Sequence, residues 1–148
     1  MGYSLQALIA QQGVFPSSLP EGLEIIELQE NMQMIPLGTS VQERYGIPFL
    51  PLTDDGATEM LVSLRSLCQK IGADAKVAYI EAEIFGGMGT QANAIIERNG
   101  DVSGPVIAVD AINSALRCLG VKPIKGQDEF DAVGLGKHRD TDNWLPKH

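Results

Sequence analysis

The chain has 148 residues, a formal net charge of −8, 44% apolar residues and 20% charged residues. This length favours a single globular domain over residues 1–148, with a core that needs no metal or disulfide staple. The negative charge disfavours a nucleic-acid partner, because nucleic-acid binding depends on neutralising phosphates. It is compatible with a basic protein partner.

The N-terminal sequence MGYSLQALIAQQG lacks the basic segment and the cleavage motif of a signal peptide. No apolar run approaches the ~18 residues that a membrane span requires. Cys68 and Cys118 fall on the apolar stripes of predicted helices, and we expect both to be buried, reduced thiols. A reducing, cytoplasmic location fits this expectation.

In the first half of the chain, alternation predicts a strand over Tyr3–Ala10 and short strands over Leu23–Leu28 and Met32–Ile35. Ser40 and Glu43 have the spacing of a capping box, which predicts a brief helix. A longer helix is predicted over Ala57–Ile71. Its N-terminal caps would come from Thr53, Asp54 and Asp55, and Gly72 would end it.

The central feature is a predicted β-hairpin within Lys76–Arg98. In its first strand Ala78, Ile80, Ala82 and Ile84 form one apolar face. Pairing apolar with apolar residues across the hairpin requires an odd-numbered loop, either Gly86-Gly87-Met88 or Gly86–Thr90. Glu83 would then lie opposite Gln91 or Asn93. The polar residues would form one strip on the opposite face, namely Tyr79, Glu81, Glu83, Gln91 and Asn93.

Asn99-Gly100 predicts a turn into a further strand near Asp101–Ser103, and a second main helix follows over Ala108–Leu119. These elements predict an α+β fold: a mostly antiparallel sheet of about five strands with the two main helices packed on one face. Leu61 and Leu64 are expected to pack on the alanine-rich face. The charged C-terminal segment, residues 137–148, is expected to be partly mobile.

Two groups of residues could carry function. Glu81 and Glu83 are two positions apart on one strand face, so they could share a proton or hold a cation, although an ordinary solvated face is favoured over a site. The tail residues Asp140, Asp142 and Trp144 could contact a partner. No spacing typical of a metal site or of nucleophilic catalysis occurs, so we expect no catalytic residue, metal or cofactor.

Three segments resemble sequences of uncharacterised bacterial single-domain proteins: YIEAEIFGGMGTQ (Tyr79–Gln91), AINSALRCLGV (Ala111–Val121) and DEFDAVGLGKHRDTDNW (Asp128–Trp144). Small acidic proteins of this kind are similar to immunity proteins, which neutralise a toxin. The resemblance implies a protein partner and supplies no catalytic residues.

The sequence thus favours a non-enzymatic protein-binding module, of the immunity or inhibitor type, that neutralises a basic toxin. The alternative is a small enzyme or a metal- or ligand-binding protein that uses the sheet face of Glu81 and Glu83. A structural subunit that forms homo-oligomers is a third hypothesis.

Overall fold

The computed structural model describes residues 2–85 and 88–146, with Met88 described by its backbone only. One six-stranded sheet has the order β2-β3-β1-β4-β5-β6, and all neighbouring strands are antiparallel. The strands are β1 (Tyr3–Gln11), β2 (Ile26–Glu27), β3 (Met32–Pro36), β4 (Val77–Phe85), β5 (Met88–Ile96) and β6 (Val102–Ile107). The helices are α1 (Thr39–Tyr45), α2 (Val62–Ile71), α3 (Ala111–Cys118) and α4 (Glu129–Val133), and short 3-10 turns occupy Leu135–Lys137 and Thr141–Trp144.

The α+β class and the antiparallel sheet are confirmed, but the two main helices lie on opposite faces of the sheet. Leu64 of α2 belongs to a core that contains Leu8 and Tyr79. Ile112 of α3 belongs to a second core, which contains Ala78. The central strands β1 and β4 carry apolar residues on both faces, so each face requires a cover. The prediction that both helices pack on one face was therefore wrong.

The expected packing of α2 on the alanine-rich face was also wrong. Leu64 is fully buried, but it packs on the face that carries Tyr79, and Leu61 is only partly buried beside it. The alanine-rich face of β4 is covered by α3 instead.

The register of the central hairpin differs from the prediction. Glu81 lies opposite Ala92, Glu83 opposite Thr90 and Phe85 opposite Met88. Only residues 86 and 87 separate the last pair, and their structure lies outside the described residues. The connection therefore has an even number of residues. Pairing apolar with apolar residues does not predict the register here, because both faces of the strands are buried, and Asn93 lies opposite Ile80.

Helix α2 begins five residues later than predicted. Residues 51–55 form turns, and the backbone and side chain of Thr53 bond to Glu81 instead of capping a helix. Gly72 ends the helix in the left-handed conformation, with φ of 66°, as predicted. The last strand, β6, continues through Pro105. An edge strand tolerates proline, since the missing N–H costs no ladder bond on the open side.

The C-terminal segment packs along the first strand. The Ser4 amide donates to the Arg139 carbonyl at 2.8 Å, and Ser4 forms a parallel bridge with Asp140. The Gln6 amide donates to Thr141 Oγ1 at 3.0 Å. Trp144 is 8% exposed and belongs to the α3-side core. Residues 137–146 are thus held against the body of the domain. Within the described parts of the chain, no helix combines the length and apolar character needed to cross a membrane.

Candidate functional site

A buried polar network lies beneath the segment that connects α1 to α2. Tyr79 and Glu81 point from β4 toward the α2 side, and Gln6 lies directly opposite Glu81 on β1. All three side chains are fully buried. The Gln6 amide donates to the Tyr79 hydroxyl at 3.0 Å and to the Pro48 carbonyl at 3.0 Å. The side-chain oxygen of Gln6 accepts from the Leu50 amide at 3.1 Å.

Glu81 holds the same segment two residues further along. Its carboxylate accepts from the Leu52 amide at 3.1 Å, and from the amide and hydroxyl of Thr53 at 2.9 and 3.0 Å. The Tyr79 hydroxyl donates to the other oxygen. Within residues 2–85 and 88–146, no lysine, arginine or histidine nitrogen lies within 4.0 Å of this carboxylate. Hydrogen bonds alone satisfy the charge.

The physical setting assigns this network a structural role. Burial, and next the charge and hydrogen bond of Glu81, raise the pKa of Tyr79 well above its usual value, so the phenol stays protonated as a donor. The connecting segment contains Leu50 at a φ of 43°, a backbone conformation that L-residues rarely adopt. Gln6 binds the Pro48 carbonyl and the amide of Leu50 itself, and Glu81 binds the amides of Leu52 and Thr53, so the backbone is held on both sides of this residue. Both oxygens of the Glu81 carboxylate already accept hydrogen bonds from the chain itself.

The second glutamate of the predicted pair lies at the surface. Glu83 is partly exposed, and its carboxyl shares a hydrogen bond with Asp54. Partial burial, followed by the hydrogen bond and the negative charge of Asp54, raises the pKa of Glu83. Two carboxyl groups are therefore held together on the surface, where they repel each other once both are ionised.

An exposed phenylalanine lies on each of the two segments that carry this carboxyl pair. Phe85 follows Glu83 on the same face of β4 and is 62% exposed, and its ring lies over Gly2. Phe49 is 51% exposed and lies on the segment that Gln6 holds, which continues to Asp54. We refer to Phe49, Asp54, Glu83 and Phe85 as the acidic-aromatic patch. Sequence reasoning missed Asp54 and Phe49 as members of a surface site, and Asp54 was interpreted as part of a helix start.

The predicted polar strip does not exist as one surface. Gln91 and Asn93 point to the α3 side, away from Glu81 and Glu83. The side-chain oxygen of Gln91 accepts from the Ile112 amide at 3.0 Å, and the side-chain amide of Asn93 donates to the Ala111 carbonyl at 2.6 Å. These side chains therefore fix the start of α3. The two-residue connection places them on this face, and the odd-loop prediction placed them on the other.

The predicted tail residues make contacts within the chain. Asp142 accepts from the amide and hydroxyl of Thr39 at 2.8 and 2.7 Å, which satisfies the first turn of α1. Trp144 packs edge-on against His138, with the ring centroids 4.7 Å apart. Asp140 is exposed beside Ser4. Trp144 is thus part of the core. Asp140, unlike Asp142, makes no side-chain hydrogen bond or ion pair within residues 2–85 and 88–146.

No cluster of three or more histidine, cysteine, aspartate or glutamate side chains suited to a metal ion occurs within the described ranges. Cys68 and Cys118 are both free thiols, and they lie on helices at opposite faces of the sheet. Cys68 is partly buried and Cys118 is exposed, so the expectation that both are buried was wrong for Cys118. No protein-family model, no curated protein and no solved structure matches this chain, so the resemblance to immunity proteins stays a prediction.

Proposed function

We propose that this protein is a binding module of the immunity or inhibitor type, and that it captures a basic protein partner through the acidic-aromatic patch. The observation that carries the proposal is the Asp54–Glu83 carboxyl pair, with an exposed phenylalanine on each of the two segments that carry it. A guanidinium from a partner can bond to both carboxylates and relieve their repulsion. Aromatic side chains are enriched in the cores of protein interfaces, where they provide apolar contact area.

The rest of the molecule supports association with a cationic surface. The net charge of −8 steers a basic partner toward the protein at a rate that falls as salt increases. The proposal does not use Tyr79, Glu81, Asp142 or Trp144 as contact residues, because their side chains already hold the fold together. Glu83 remains a contact residue, and Asp140 contributes charge from a greater distance.

The alternative use of Glu81 and Glu83 as a catalytic or metal-binding pair has less support. Glu81 is fully buried, and its oxygens already accept hydrogen bonds from Leu52, Thr53 and Tyr79. A substrate or a cation would have to displace these donors and the segment that carries them. Glu83 pairs with Asp54 at the surface, so Glu81 and Glu83 do not form one site.

The test is an affinity capture from the source cell followed by binding kinetics on the basic protein recovered. The first candidate partner is the product of a toxin gene next to the gene for this chain. Three versions of the protein are compared: wild type, the charge variant D54N/E83Q, and the matched control E24Q/E43Q. Glu24 and Glu43 are exposed acids that are not part of the patch, so the control removes the same charge.

We expect wild type and E24Q/E43Q to retain the same partner and D54N/E83Q to lose it. In kinetics, D54N/E83Q should slow association most at low salt, and F49A/F85A should mainly speed dissociation. Binding should also weaken on acidification, since protonation of Glu83 removes one of the paired charges. A partner that binds D54N/E83Q as tightly as wild type would refute the assignment of this patch.

A further inference from the structure

A cavity of about 220 Å³ lies at the opposite end of the sheet from the acidic-aromatic patch, between the C-terminal half of α2 and the turn that joins β5 to β6. Its floor is apolar and is formed by Leu8, Phe15, Ile71, Val77, Ile96 and Val102. Arg65 and Arg98 line it as well, and both are exposed at its edge. An apolar cavity with a few convergent polar groups is typical of small-molecule sites.

The charges around this cavity favour an anion. Within the described part of the chain, neither Arg65 nor Arg98 lies within 4.0 Å of a carboxylate. The one acid in the lining, Glu97, lies 3.9 Å from the ammonium of Lys76. Although the protein has a net charge of −8, this cavity combines two arginines with an apolar floor. Guanidinium groups bind carboxylates in a bidentate geometry.

Cys68 lines the cavity, and its chemistry favours a ligand that binds reversibly and forms no covalent bond. Burial raises the pKa of Cys68 to about 12, so its thiol stays protonated at neutral pH and is a poor nucleophile. It contributes a small, polarisable, apolar surface to the cavity. The volume lies below the ~300–1,000 Å³ of sites for drug-sized ligands, which limits the ligand to a short chain or a single ring.

We propose that this cavity binds a small amphipathic carboxylate, with its apolar body against Val77 and Ile96 and its carboxylate on Arg65 and Arg98. The site is separate from the acidic-aromatic patch. Val77 and Glu83 lie on the same face of β4, six residues apart, which corresponds to about 20 Å along a strand. The ligand-site proposal can therefore be tested independently of the protein-binding proposal.

The experiment is a titration of the folded, isotope-labelled protein with octanoate and with benzoate, each below the concentration at which it forms micelles. Amide signals are followed by NMR. We expect saturable binding, with shifts confined to the residues around the cavity, at positions 8, 15, 65–77 and 95–102. The uncharged chain 1-octanol should bind at least about tenfold more weakly, because it lacks the charge-assisted hydrogen bonds.

The variant R65Q/R98Q should weaken binding of the carboxylate by about tenfold or more and leave 1-octanol unaffected. The matched control K122Q/K125Q removes the same charge from the exposed loop after α3, and it should bind like wild type. The proposal is overturned if neither carboxylate binds at millimolar concentration, if the shifts map elsewhere, or if 1-octanol binds as tightly as octanoate. Equal weakening by the two double variants would also overturn it.

Discussion

Replacement of Glu81 tests whether the buried network holds the segment over β4. In Glu81→Ala, the buried amide of Leu52 and the buried hydroxyl of Tyr79 lose their acceptor, and Thr53 loses a partner for its amide. Each buried donor left without a partner costs about 1–3 kcal/mol. The two fully buried donors, on Leu52 and Tyr79, should together cost about 2–6 kcal/mol, against a total stability of about 5–15 kcal/mol for a domain of this kind.

The measurement is urea unfolding followed by circular dichroism and by the fluorescence of Trp144, the only tryptophan. Glu81→Gln keeps one acceptor oxygen and should lose about 1–3 kcal/mol, so it stays folded even if the alanine variant does not. Hydrogen exchange at the Leu52 and Thr53 amides should accelerate in Glu81→Gln.

Glu83→Gln is the matched control, since this residue lies two positions further on the same strand face but at the surface. It should change stability by no more than about 0.5 kcal/mol at neutral pH. If Glu81→Ala has the same urea midpoint and slope as wild type, the network contributes nothing to stability and the structural role assigned to Glu81 is wrong.

Three further predictions follow from burial and charge. At about pH 8, a maleimide should label the exposed Cys118 and leave Cys68 unmodified until urea is added, because burial raises the pKa of Cys68 to about 12. Mass spectrometry of the peptides shows which cysteine is labelled. The folded state holds the Glu83 proton more tightly than the unfolded chain, whose pKa is near 4.5. Glu83 therefore contributes its full stabilisation below that pH, and this contribution is lost as the pH rises through the folded pKa. The urea midpoint should fall over that pH range, and Asp54→Asn should make the fall smaller. Leu64→Ala should cost about 2–5 kcal/mol, and an unchanged urea midpoint would show that α2 does not pack on Tyr79.

The class of fold could be predicted because local patterns are strong where they occur. Alternation gave the strands around Leu8, Met34 and Ile80, and Gly72 marked the end of α2. The placement of helices on the sheet could not be predicted. β1 has a continuous buried run from Leu5 to Ala10, so periodicity does not tell which face receives which helix.

The candidate site was predicted only at Glu83. The sequence brings Glu81 and Glu83 together by spacing, but their different surroundings come from Thr53 and Asp54, which are more than 25 positions earlier in the chain. A one-residue difference in loop length decides which face carries Asn93. Contacts of this kind depend on tertiary packing, and no local pattern encodes them.

The contacts between β1 and the C-terminal segment have a consequence for synthesis of the chain. Gln6 and Thr141 are 135 positions apart, so at ~5–20 residues per second the first strand waits about 7–27 s for this neighbour. Until then the amides of Ser4 and Gln6 lie on an open strand edge, which can pair with another chain. A ribosome stalled before Arg139 would therefore hold a nascent chain whose first strand is still able to aggregate.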